Sequence, residues 1–262
     1  MWNITKALRY QIKRDNYSII TLIVAIFLPV MSLFIDSSGV EFGEITGSIY
    51  VSEYVGEMYG FVLIIIVLMT TRIAGWDYND KTINYEIMTG HSKKDVFGAR
   101  AVLSILVSMI AYVIMMVLPA IVFTVMNGWG KSLSLKNAVI RYILMMFPIF
   151  RITCMFVLLT FIVANCYKAL VIGYALLEAT IVFSMIMEEM LDKTFTIQFA
   201  ASNMEKLLSF PSYKTQFING KDIMVYKSTV SSSLAGGTII ASLIVGTAAL
   251  IIGYTYFKKH DM

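Results

Sequence analysis

Charge is scarce in this sequence. Aspartate, glutamate, lysine and arginine make up 15% of the 262 residues and hydrophobic residues 58%, whereas soluble domains are about 25% charged. That balance excludes an ordinary soluble protein. Several apolar runs exceed the roughly 18 residues needed to cross a bilayer, and they lack the period-two alternation of a β-barrel. Cysteine is nearly absent. Cys154 and Cys166 lie on one predicted helix, about 18 Å apart at the α-helical rise, too far to bridge. No disulfide framework follows. The only histidines are His91 and His260, and neither H-E-x-x-H nor C-x-x-C occurs. A metal site or hydrolytic triad therefore lacks its ligands and bases, so no catalysis and no cofactor are expected in this chain. Gly130, Lys131 and Ser132 look like the end of a phosphate loop, but Val125 stands where that loop needs its first glycine and no strand precedes it. The net charge of +4 is modest and gives no case for a nucleic-acid partner.

What is present is an all-α polytopic pattern. Met1 to Asn16 is basic and amphipathic, with Ile4, Leu8 and Ile12 on one face and Lys6, Arg9 and Lys13 on another. This suits a helix lying in the membrane interface among lipid headgroups, better than a signal-peptide n-region, because no A-x-A-like cleavage site follows. One six-helix membrane domain is expected over residues 17–262. Its spans are placed at about 17–35, 58–75, 101–125, 138–164, 169–187 and 234–257. Residues 36–57 carry glutamates and an aspartate but no lysine or arginine, which reads as an outside loop. Arg72 is expected to snorkel at the end of the second span. Short-loop basic residues then put both termini in the cytoplasm of a plasma-membrane protein, with 188–233 as a long extracellular loop. Within that loop, Phe195 to Phe210 has helical spacing. It reads equally as an amphipathic outer helix or as part of a small solvated domain.

Two charges fall inside spans. Arg151 and Glu178 are expected near mid-membrane on antiparallel helices, as a pair that fixes packing or as part of a polar path. Ser242, Gly246, Ala249 and Gly253 form a small-residue stripe on the last span, able to admit a close helix from the same bundle or from another subunit.

The longest polar island of the first half is Trp76 to Arg100. Asp77, Asn79 or Asp80 can cap a short helix in which Ile83 and Ile87 share a face, and Gly90 can end it. Ser92 and Asp95 form an S-x-x-D capping pattern that opens the third span. The segment from Asn79 to Arg100 has the form N-D-K-T-I-x-Y-E-I-M-x-G-x-S-(K/R)-x-D-V-x-x-x-R. In that pattern, and in its order of spans, the chain resembles ABC-2 type permeases, the membrane subunits of bacterial ABC exporters. The similarity is to the branch exporting phenol-soluble modulins and lantibiotic peptides.

The resemblance implies an ABC-2 (type V) exporter fold in which residues 76–100 are the coupling segment. Asp80, Lys81, Ile83, Glu86, Ile87 and Gly90 would rest on a separate ABC ATP-binding subunit that carries the ATP and magnesium. It also implies a second permease subunit, identical or paralogous, surrounding membrane lipids and an amphipathic or hydrophobic peptide as substrate. Export of lipids, drugs or ions by the same machine is the alternative, and a membrane anchor or sensor that recruits a cytosolic partner is an alternative of another class.

Overall fold

The computed structural model describes residues 2–35, 45–79, 82–191, 199–210, 213–218, 221–226 and 229–259. Apolar runs become helices because a helix satisfies all its backbone hydrogen bonds internally, as lipid demands. The first pair is α1 (Trp2–Arg14) and α2 (Asn16–Ile35). Then α3 (Gly47–Ile49) runs through a π-turn at Tyr50–Tyr54 into α4 (Val55–Asn79). The short α5 (Ile83–Met88) precedes α6 (Lys93–Tyr112), which continues through a π-turn at Val113–Val117 into α7 (Leu118–Asn127). The long helices α8 (Leu135–Val163) and α9 (Cys166–Leu191) form a tight hairpin. They are followed by α10 (Ala200–Leu208), the strands β1 (Tyr213–Ile218) and β2 (Lys221–Tyr226), and α11 (Ser232–Lys259).

Among the described residues, five stretches are long and apolar enough to cross a membrane: Met58–Tyr78, Lys93–Asn127, Leu135–Val163, Cys166–Met187 and Ser232–Lys259. The pair α1 and α2, bent by 70°, supplies a sixth when counted as one span. The chain is thus a multi-pass helical membrane protein. The bend has a local cause: the Asp15 carboxylate accepts hydrogen bonds from the Ser18 amide (3.2 Å) and hydroxyl (2.8 Å), capping α2 and stopping α1.

Helix α8 is the axis of the bundle, in contact with α4, α6, α9, α10 and α11. Its most extensive partner is α11, whose buried face is Ser242, Gly246, Ala249 and Gly253 with Thr238 and Phe257. A Cβ on Gly246 would lie 2.6 Å from the Phe150 ring, and one on Gly253 3.2 Å from the Phe97 ring and 3.5 Å from the Leu158 Cα. The small-residue stripe is therefore spent inside the chain, letting α11 lie against α8 and α6.

Several expectations change. Residues 36–57 do not form one loop: from Ile45 onward the chain joins the bundle, and Tyr50 and Tyr54 are buried, Tyr50 stacked on Phe123 at 5.3 Å between centroids. The Gly47 amide donates to Gly128 O (3.1 Å) and the Ser48 amide to Trp129 O (2.7 Å), binding this segment to the turn after α7. Gly130 sits in that turn at φ +84°, and a Cβ there would strike Thr46 and Ser48. The phosphate-loop look-alike is thus a packed turn. A lack of basic residues marks buried segments as readily as outside loops.

The loop over 188–233 is built rather than slack. Within it α10 lies on α8, α4 and α9 with Met204, Leu207 and Leu208 buried, and the antiparallel hairpin β1–β2 adds strand structure to a fold expected to be all-α. Phe195, the expected start of the outer helix, lies outside the described residues. The buried Arg141 ends α10 by donating from Nη1 to Leu207 O and to Ser209 O (3.2 Å), with its guanidinium 4.3 Å from the Phe210 ring centroid. Arginine near a helix C-terminus meets both the orphan carbonyls and the negative end of the dipole.

Candidate functional site

One end of the bundle gathers α1, the end of α4, α5, the start of α6, the α8–α9 turn and the end of α11. Lys93 Nζ there donates to Lys258 O (3.3 Å), and the Phe97 and Phe257 rings meet at 6.3 Å. The polar island forms an elbow at this end. Helix α4 runs on to Asn79, α5 occupies Ile83–Met88, and Gly90 takes the left-handed φ of +93° that ends α5. Ser92 then caps α6, its Oγ accepting from the Asp95 amide (3.1 Å) and donating to the Asp95 carboxylate (2.9 Å). Asp77 does not cap α5, whose first flanking residue is Thr82. It ties Thr82 back to the end of α4, its carbonyl accepting from the Thr82 amide (2.8 Å) and its carboxylate from the Thr82 hydroxyl (2.9 Å).

The elbow is locked from within by Arg100, which is fully buried. Its Nη2 pairs with Asp77 at the end of α4, and its Nη1 with Glu86 on α5 at 2.8 Å. One guanidinium therefore ties three helices. Further along α6 the polar face continues through the buried Ser104 to Ser108, whose hydroxyl bonds that of Thr70 on α4 at 3.2 Å.

A second arginine braces the same end. Arg72, expected to snorkel, has its head group held in place: its Nε and Nη2 grip Asp15 at 3.0 and 2.8 Å, and it stacks on Trp76 and Tyr17, fixing α4 to the α1–α2 corner. Burial disfavours the Asp15 carboxylate, yet the bonds from Arg72 and Ser18 prevail and lower its pKa from the ordinary 3.8.

The residues expected to couple to a partner divide into two groups. Ile83 is buried and Ile87 packs beside it in an apolar cluster with Ile4, Leu8, Val96, Phe97 and Phe161, while Glu86 turns to Arg100. These three build the elbow rather than present its surface. Among the described side chains of α5, those exposed are Tyr85, at 66%, and Met88, at 79%, followed by the exposed Thr89 and Gly90. Asp80 and Lys81 lie outside the described residues. No protein-family model matches the chain, and no curated protein matches it.

Arg151 and Glu178 are not brought together. Arg151 is buried beside a cavity of about 380 Å3 that α9 lines with Gly173, Leu176, Leu177 and Thr180. Glu178 is exposed on another face of α9. The cavity-lining residues of α9 recur at i, i+3, i+4 and i+7, and at about 100° per residue position 178 falls off that stripe.

Missed at the sequence level were Asp77, Arg100, Asp15 and Arg72 as partners. The available signal was that arginines placed just inside apolar runs require anions nearby.

Proposed function

We propose that this chain is the membrane-spanning permease subunit of an ATP-driven exporter of amphipathic or hydrophobic peptides. In this reading the elbow over 76–100 receives mechanical work from a separate ATP-binding subunit on the cytoplasmic side. The observation that carries it is the pairing of two large exposed apolar side chains, Tyr85 and Met88, with a helix braced by the buried Arg100. A connecting loop has no need to bury an arginine between two carboxylates. A contact that must pass force from a partner to α4 and α6 needs such rigidity, because energy reaches the spans only if the partner's two states press differently on the elbow.

A second feature agrees with this reading. The exposed Glu178 lies mid-span, where a charge facing lipid costs at least about 2.5 kcal/mol. A face turned to a second permease subunit or to a watery path avoids that cost.

The test is co-purification with the nucleotide-binding partner, read out as vanadate-sensitive ATPase activity. Met88→Asp or Tyr85→Asp should lower recovery of the partner by about 30-fold, the loss expected for a contact worth about 2 kcal/mol, with the permease still inserted. A partner recovered without ATPase activity would favour a membrane anchor.

A further inference from the structure

The corner where α1 meets α2 encloses a recess that the export reading does not use. It is a cleft of about 400 Å3 between α1, the first turn of α2 and the end of α4, with Tyr10, Arg14, Arg72 and Trp76 among its walls. Two carboxylates also line it, and each is taken by an arginine: Asp15 by Arg72 and Asp77 by Arg100. Arg14 is the surplus cation. Its guanidinium lies 4.5 Å from the Tyr10 ring centroid, and no carboxylate among the described residues pairs with it.

The surroundings specify the depth. Helix α1 leaves α2 at 70°, so with α2 crossing the bilayer, α1 lies near the headgroup plane. Its outer side exposes Lys6, Arg9 and Lys13, and its inner side buries Ile4 and Leu8. Directly beyond the cleft, α2 exposes Ile19, Ile20, Ile23 and Phe27 as a continuous apolar face. Tryptophan and tyrosine at the cleft walls suit the boundary between headgroups and acyl chains.

We propose that this cleft binds the headgroup of one anionic phospholipid, with its phosphate on Arg14 and its acyl chains along α2. Arginine matches phosphate through two parallel N–H donors, and the surplus positive charge selects an anionic headgroup over a zwitterionic one. The site rests on the α1–α2 corner and the end of α4, and holds whether or not the chain exports anything.

The test is native mass spectrometry of the full chain in detergent, supplied with equal amounts of dioleoylphosphatidylglycerol and dioleoylphosphatidylcholine. One phosphatidylglycerol is expected to stay bound per chain, and phosphatidylcholine is not. Arg14→Gln, on the exposed side of the corner, should weaken that retention by about fivefold or more, the change expected from one basic residue at the membrane surface. Arg9→Gln removes the same charge outside the cleft and should leave the tightly held lipid in place. Equal loss in both variants, equal retention of phosphatidylcholine, or displacement of the lipid by inorganic phosphate would overturn the assignment.

Discussion

Arg100 carries more of the elbow than any other side chain. It is buried without exposure, and its two carboxylate partners come from the end of α4 and from α5. Replacing it with a neutral residue leaves Asp77 buried without its counter-charge, a loss of about 3–5 kcal/mol for a broken buried pair. Arg100→Gln should therefore lower the thermal unfolding midpoint sharply, whereas Glu86→Gln, at a more exposed partner, should lower it much less. The Asp15–Arg72 pair makes a prediction in pH. A carboxylate whose folded pKa is lowered stabilises the fold above its unfolded value, and that contribution goes as pH falls through the folded value. Its ordinary value is 3.8, so the α1–α2 corner should hold unchanged from neutrality down to about pH 4 and loosen only below it. Hydrogen exchange of the α1 amides, in wild type and in Asp15→Asn, measures this directly. The variant should exchange faster at neutral pH, as the wild type does only in acid.

At the scale of elements, hydropathy located the helices and local chemistry located their ends. The Ser92–Asp95 cap and the Gly90 break were legible because each depends on residues three or four apart. The faces of α5 were half legible. The shared stripe of Ile83 and Ile87 is the face that packs inward, which leaves Tyr85 and Met88 as the most exposed of the described side chains on α5. Contacts between distant residues were not legible. Arg141 reaches α10 across 66 positions and Arg72 reaches Asp15 across 57, and no local pattern announces either. The spacing of Ser242, Gly246, Ala249 and Gly253 marked a close approach, but the identity of the approaching helix, α8, required the fold. That approach is tight. Gly246→Val would press into the Phe150 ring, an overpacking cost of about 1–3 kcal/mol. It should lower the unfolding midpoint, and shortening the opposing ring by Phe150→Leu should restore part of the loss.

At the scale of the whole molecule, the bundle has two differently built ends. One is closed by α10, the hairpin and the turn at Gly128–Gly130, tied by the Tyr226 amide to Ser132 O (2.8 Å) and by Thr238 to Asn203 (2.9 Å). The other is braced by two arginine–carboxylate clusters and shows a short helix outward. That asymmetry fits a molecule anchored at one end and driven at the other, the central claim of the account. The most direct measurement places a photo-reactive amino acid at position 85 or 88, and at Lys168 in the first turn of α9 as a control. Irradiation in native membranes, followed by mass spectrometry, then identifies the neighbours. Coupling through the elbow predicts adducts from 85 and 88 to an ATP-binding protein, sensitive to the nucleotide present and far weaker from 168. Equal labelling from all three positions, or adducts only to proteins without an ATP site, would contradict it.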